Sequence, residues 1–192
     1  MKYNKINIID LECTCWEDDS DYQVHNSEII EIGLCELNLK TREINNCRSI
    51  YVRSRCFEEE LKGKKFPRPV ISDYCTQLTG ISHKILLKQG KSLSDAIAEI
   101  EKHYARSKIW MSWGNFDKKM ITIECLANKL LFPFSNEKHI NAKALFGLKF
   151  ALNKGFGLDK ALSELKLSFE GNKHCGKDDA YNTARVISKV LE

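Results

Sequence analysis

The chain has 192 residues, with 30 lysines and arginines against 26 aspartates and glutamates, a formal charge of +4, and 43% hydrophobic residues. This length suits one domain, residues 1–192, whose core needs neither disulfides nor a structural metal, and the composition excludes intrinsic disorder. The apolar runs fall far short of the roughly 18 residues of a membrane span, and Met1-Lys2-Tyr3-Asn4-Lys5 leads into an acid-bearing strand pattern, so no signal peptide is expected.

Ile6, Ile8, Ile9 and Leu11 form a short, almost wholly apolar run, the pattern of a strand covered on both faces. Glu28–Leu39 reads as a second strand, Lys40-Thr41 as a turn and Ile44–Val52 as a third strand, together a three-strand meander. Residues 53–71 break the pattern with basic ends, an acidic Glu58-Glu59-Glu60 centre and two prolines, and read as an extended surface loop or insertion. Ser92–Tyr104 is a helix with Ser92 and Ser94 as capping candidates and Leu93, Ile97, Ile100 and Tyr104 on one stripe. A fourth strand at Lys108–Trp113, a helix at Phe116–Asn128 and a short fifth strand at Lys138–Ala142 follow. Leu158, Ala161, Leu162 and Leu165 mark another helix, and Ala180, Ala184, Ile187 and Leu191 mark the last. An antiparallel meander followed by alternating helices and strands indicates an α/β sheet with a parallel half.

Eight cysteines stand at positions 13, 15, 35, 47, 56, 75, 125 and 175, mostly within apolar patterns where a thiol packs as a small hydrophobe. With no CxxC pair a zinc site is not expected, and reduced thiols imply a cytoplasmic protein. The mild positive charge is compatible with a polyanionic partner but does not argue for one.

The chemistry concentrates at element ends. Asp10 and Glu12 close the first strand at i and i+2, so both carboxylates project from one face, their Cα atoms about 6.6–7 Å apart. Acids at the tip of an apolar run are costly unless paired, and a divalent cation is the natural partner; a solvated strand end is the alternative. Asp117 follows Trp113-Gly114-Asn115-Phe116 into a helix, where it is either a further ligand or a first-turn acid stabilised by the helix dipole. In His174-Cys175-Gly176-Lys177-Asp178-Asp179-Ala180 the loop lets His174 fold back beside Asp179, or the two acids simply cap the last helix. Taken together, Asp10, Glu12, Asp117 and Asp179 supply four carboxylates, enough for two Mg²⁺ or Mn²⁺ ions about 3.5–4 Å apart. A neutral histidine is the side chain that accepts a proton near physiological pH.

This set resembles the DEDDh 3′–5′ exonucleases of the ribonuclease H-like fold. The branch it is most similar to is the ERI-1-like, or 3′ histone exonuclease-like, exoribonucleases. The segments that carry the resemblance are Asp10-Leu11-Glu12-Cys13-Thr14-Cys15, Glu28-Ile29-Ile30-Glu31-Ile32-Gly33, Tyr51-Val52-Arg53, Ser72–Ile81 with Leu78-Thr79-Gly80-Ile81, Ser112–Asp117 and His174–Ala180. The resemblance implies a mixed five-stranded sheet, a three-strand antiparallel meander plus parallel strands, flanked by helices. It implies a 3′–5′ exonuclease that uses two divalent cations, Mg²⁺ or Mn²⁺, to release nucleoside 5′-monophosphates. Single-stranded RNA 3′ ends are the implied substrate, with DNA as the alternative and a non-catalytic nucleic-acid-binding module as a third reading; no membrane or protein partner is implied.

Carried over, Asp10 bridges both ions, Glu12 and Asp179 hold the ion bearing the attacking water, and Asp117 supports the second. His174 is the general base, whereas Asp178, about 100° around the helix from Asp179, is a capping group. Leu78, Thr79, Gly80 and Ile81 correspond to a wedge at the terminal nucleotide, although a helix C-cap glycine and a core isoleucine have the same spacing. Thr14 would contact a phosphate or the terminal sugar, Asn115 would position the scissile nucleotide, and Trp113 and Phe116 would stack on bases unless they are core aromatics. The chain departs from the family pattern between Arg53 and Ser72, where the usual short link is replaced by a longer segment rich in Lys and Arg. That segment is either a solvated loop or an electrostatic guide for an entering strand. The last helix pattern runs to Glu192, so no appended RNA-binding module is expected.

Overall fold

A computed structural model of the chain describes residues 4–17, 20–104, 107–152 and 156–192. Five strands form one sheet in the order β3-β2-β1-β4-β5: β1 (Lys5–Cys13), β2 (Ile29–Asn38), β3 (Ile44–Tyr51), β4 (Trp110–Ser112) and β5 (His139–Asn141). The β1–β2 and β2–β3 pairs are antiparallel, whereas β4 runs parallel to β1 and β5 parallel to β4. This is the mixed sheet expected of the ribonuclease H-like fold. The fourth strand is shorter than its apolar pattern, three residues in place of the span 108–113.

Nine helices occur among the described residues. They are α1 (Ser20–Asn26), α2 (Arg55–Leu61), α3 (Asp73–Thr79), α4 (His83–Gln89), α5 (Leu93–Tyr104), α6 (Phe116–Ala127), α7 (Ala142–Lys149), α8 (Leu158–Glu164) and α9 (Gly176–Val190). The long α5, α6 and α9 follow their sequence stripes, and Ser92 caps α5 by accepting from the Asp95 N–H at 3.1 Å. Most of the others are two turns or less, too short for a 3.6-residue period to declare itself. None of the described helices is long and apolar enough to cross a membrane.

The alternation of β1 divides the core. Ile6 and Ile8 meet Ala180, Ala184 and Ile187 of α9 on one face, while Ile9 and Leu11 meet the α5 and α6 residues Ile97, Ile100, Met120 and Ile121 on the other. A third cluster forms beyond β2, where Phe57 of α2 is fully buried with Cys75, Ile81 and Leu86. The segment expected as a surface loop therefore contributes an anchored helix: Ser54 caps α2, accepting from the Phe57 N–H at 3.3 Å, and the Cys56 N–H donates to Glu28 at 2.8 Å. Beyond Leu61 the segment is mostly exposed.

The α9 helix reaches β2 where both chains lack a side chain. A Cβ at Gly33 would fall 1.9 Å from the Gly176 carbonyl carbon, and one at Gly176 would fall 3.1 Å from the Asp10 carbonyl oxygen. No rotamer relieves a clash with backbone, so the helix N-terminus lies flush on the sheet only because both positions are glycine. Gly33→Ala is expected to cost about 3 kcal/mol, the upper end of typical overpacking penalties, measured by urea unfolding. A loss below about 1 kcal/mol would mean that the approach is looser than this packing requires.

Candidate active site

The flush contact decides where the acids meet. Asp10 and Glu12 share the β1 face on which Ile6 and Ile8 meet α9, so they point at the first turn of that helix. Asp179 lies in that turn, and one carboxylate oxygen from each of Asp10, Glu12 and Asp179 falls within 4.8 Å of the others.

Asp117 arrives from the opposite side. Strand β4 ends at Ser112, and Gly114, with φ at +115°, turns the chain into α6. The Leu11 N–H of β1 donates to Asp117 Oδ1 at 2.9 Å. Asp117 is thus buried beside β1 and held by its backbone, adjoining the three-acid cluster rather than forming part of it.

Burial raises the proton affinity of all four groups, and neighbouring acids add to it at Asp10 and Glu12. Burial, then the charges of Asp117, Asp179, Glu12 and Glu31, hold the Asp10 carboxyl well above the usual carboxylate range. Burial, then Asp179 and Glu31, push Glu12 up to about 8. Burial pushes Asp117 up to about 6 against the opposing Leu11 N–H. Asp179 rises to about 6 for the same reason, against the His174 backbone N–H. Asp179 Oδ2 is buried and has no hydrogen-bond partner. A cluster of mutually repelling acids with an orphaned oxygen fits divalent cations, whose charge and oxygen preference satisfy both conditions.

The other expected residues divide. Asp178 is structural: its Oδ2 accepts from the Asn172 N–H at 2.9 Å, and Lys177 pairs with it at 3.4 Å. His174 sits in the exposed loop before α9 with a left-handed backbone, φ +59°, and its imidazole is not part of the carboxylate cluster. A groove of about 670 Å³ starts at Glu12 and is lined by Thr14, Leu78 and Phe116, among others. Phe116 is 55% exposed there, but Trp113 packs between two core clusters and donates its indole N–H to the Phe156 carbonyl at 3.0 Å. Asn115 is exposed at the start of α6. Gly80 is the left-handed C-cap of α3, Thr79 bridges the Cys75 carbonyl and the Ile81 N–H, and Ile81 is 2% exposed in the third core cluster. Thr14 is buried, its hydroxyl accepting from the Glu28 N–H at 3.0 Å. Gly80, Thr79 and Ile81 thus each have a local structural role at the end of α3, whereas Leu78 and Phe116 face the groove.

Glu31 was not anticipated. It is 1% exposed, lies opposite Glu12 across β1–β2, and accepts from the Gly176 N–H at 3.2 Å, tying the start of α9 to the sheet. Its signal was present, since a carboxylate inside the apolar run Ile29–Leu34 carries the same burial cost that singles out Asp10.

Human ERI1 exoribonuclease 2 is 27% identical over 98% of this chain and 28% of its own length. Human 3′-5′ exoribonuclease 1 is 30% identical over 99% of this chain and 53% of its own length. The chain thus spans between about a quarter and about a half of these two relatives. The solved nuclease domain of 3′hExo, a DEDDh family member bound to rAMP, superposes with a TM-score of 0.80 at 26% identity, covering 98% of this chain and 92% of that one. The model of the exonuclease family, RNase_T, matches residues 8–187. That match begins inside β1 and ends inside α9, so it takes in all five strands save the first three residues of β1 and every carboxylate placed above, and the chain belongs to the exonuclease (RNase_T) family.

Proposed function

We propose that the protein is a metal-dependent 3′–5′ exonuclease that removes nucleoside 5′-monophosphates from single-stranded RNA 3′ ends. The observation that carries this reading is the convergence of Asp10, Glu12 and Asp179 within 4.8 Å, with Asp179 Oδ2 buried and unpartnered. The similarity to exoribonucleases favours RNA over DNA. Eight free thiols suit a reducing, cytoplasmic setting.

Asp10, Glu12 and Asp179 would hold the cations, Mg²⁺ or Mn²⁺, with Asp117 supporting the second from its place on the β1 backbone. Bound divalent cations lower the pKa of a water and neutralise charge on a departing oxygen. The remaining tasks fall to the chain itself. Leu78 and Phe116 offer apolar surface to the terminal nucleotide in the groove leading to Glu12. His174 takes the proton of the attacking water, whose oxygen bonds to the terminal phosphorus as the bond to the preceding 3′ oxygen breaks. The His174 loop is fixed where it joins α9, because Glu31 holds the Gly176 N–H and the Cys175 carbonyl accepts from Asp178 and Asp179 at 2.8 and 2.9 Å.

Incubating purified protein with 5′-labelled RNA and Mg²⁺ or Mn²⁺ is expected to give stepwise shortening from the 3′ end. Asp10→Asn should abolish it while unfolding normally, and His174→Ala should slow it by roughly 10²- to 10⁴-fold, the usual share of general-base catalysis. Full activity in Asp10→Asn would remove the assignment.

The raised carboxyl pKa values also fix how stability depends on pH. Each folded-state value lies above its unfolded one, so the folded protein binds protons that the unfolded chain releases. The contribution is fully present below about pH 4 and is lost as pH rises through the values near 6 for Asp117 and Asp179 and 8 for Glu12. In EDTA, Tm is therefore expected to fall between pH 5 and 8.5. At the alkaline end Mn²⁺ at about a hundred times its Kd should restore about 2.7 kcal/mol, or roughly 5–10 °C. A Tm indifferent to both pH and cation would contradict the cluster's role.

A further inference from the structure

Several cations of the 53–69 segment line a pocket beside the groove. The segment holds six lysines and arginines against three glutamates, a surplus of +3 within a chain whose total is +4. From it, Arg55, Lys64, Phe66 and Arg68 line a pocket of about 160 Å³ whose other wall includes Thr14 and Trp16. Thr14 and Trp16 also line the groove that begins at Glu12, so the two concavities share a wall. On its outer side, Lys64, Phe66 and Arg68 are shared again with an open depression that adds Lys65. The groove at Glu12, the pocket and the basic outer depression are therefore neighbours in series, with Thr14 and Trp16 between the first two.

We infer that the pocket and the outer depression form a second nucleic-acid subsite, which takes the nucleotides upstream of the one being removed; it rests on the exonuclease reading above. The chemistry matches a single strand on both counts. Lys64, Lys65 and Arg68 offer cations to successive phosphates, and half-buried Phe66 offers aromatic surface of the kind on which bases stack, while Trp16 is buried behind it with its indole N–H on the Pro69 carbonyl. Two of the acids nearby, Glu28 and Glu59, have partners of their own. Glu28 lines the pocket, but its Oε1 pairs with Arg55 at 3.1 Å and its Oε2 accepts from the Cys56 N–H at 2.8 Å. Those bonds fix the pocket's inner wall to the start of β2. Lys64 pairs with Glu59 at 2.6 Å, but both side chains are substantially exposed, and exposed pairs are weak enough for a phosphate to displace. Buried Phe57 and the capped α2 hold the segment against the fold, so the pocket is built rather than left to a floating loop.

The test is binding of a 5′-fluorescein single-stranded RNA of about twenty nucleotides, enough to span both subsites, read by anisotropy in EDTA so that no metal-dependent hydrolysis proceeds. The combined variant Lys64→Gln, Lys65→Gln and Arg68→Gln is expected to bind at least about tenfold more weakly. Its plot of log affinity against log salt should be shallower by roughly 2, about 0.7 for each lost phosphate contact. A control with the same charge change, Lys40→Gln, Lys149→Gln and Lys189→Gln, falls after β2 and in the last turns of α7 and α9, lines none of these concavities and should bind as the parent does. In Mg²⁺ or Mn²⁺ the pocket variant should lose less on a dinucleotide than on the twenty-nucleotide RNA, since a dinucleotide places one nucleotide at most upstream of the one removed. Equal weakening in both variants, or an unchanged salt slope in the pocket variant, would overturn the subsite. Failure of the parent itself to hydrolyse any RNA would instead count against the exonuclease reading and leave the binding comparison valid.

Discussion

Placing several carboxylates side by side under partial burial is the constraint around which this molecule is arranged. Burial raises the proton affinity of all four acids, neighbouring carboxylates add to it at Asp10 and Glu12, and none of the described cations pairs with Asp10, Glu12, Asp117 or Asp179. An arrangement of this kind holds only where the scaffold is rigid enough to impose it. The rigidity has three identifiable sources. The pleat of β1 aims Asp10 and Glu12 the same way; the Leu11 N–H holds Asp117; and the paired glycines at 33 and 176 let α9 carry Asp179 onto the sheet. Glu31 adds a fourth by fastening the Gly176 N–H to β2. A cation that binds these oxygens would convert mutual repulsion into shared attraction, so fold stability and metal affinity are two sides of one arrangement.

Much of this was legible in the sequence, for reasons that can be traced to particular residues. The strands and the long helices carry clear periods, and Asp10, Glu12, Asp117 and Asp179 each stand at the end of one. What placed them together was not legible from spacing alone. The proximity of Asp179 to Asp10 depends on backbone contact between two glycines 143 positions apart, a relation that no local pattern records. Short helices such as α1, α3 and α4 escaped because two turns cannot show a stripe. Glu31 violates the same burial rule as Asp10 does, but it stands in mid-strand rather than at an element end, where spacing gives it no partner.

The residues around the groove show how one spacing serves two purposes. Leu78, Thr79, Gly80 and Ile81 run through the end of α3, where Leu78 stays at the groove while the left-handed Gly80 cap turns Ile81 into the core. Trp113 and Phe116 bracket the turn into α6, and the strand-to-helix change turns one inward and the other out to solvent. The basic segment after β3 follows the same economy: Phe57 anchors it from beneath, and its cations stay at the surface, where a polyanion would meet them.

The central claim is that Asp10, Glu12 and Asp179, with Asp117 beside them, form one cation-binding cradle. Anomalous diffraction from crystals grown with Mn²⁺ and a nucleoside 5′-monophosphate tests it most directly. The account expects manganese density enclosed by oxygens of Asp10, Glu12 and Asp179, with the nucleotide lying along the groove toward Leu78 and Phe116. Manganese bound elsewhere, with these carboxylates turned apart or protonated and hydrogen-bonded to one another, would contradict it.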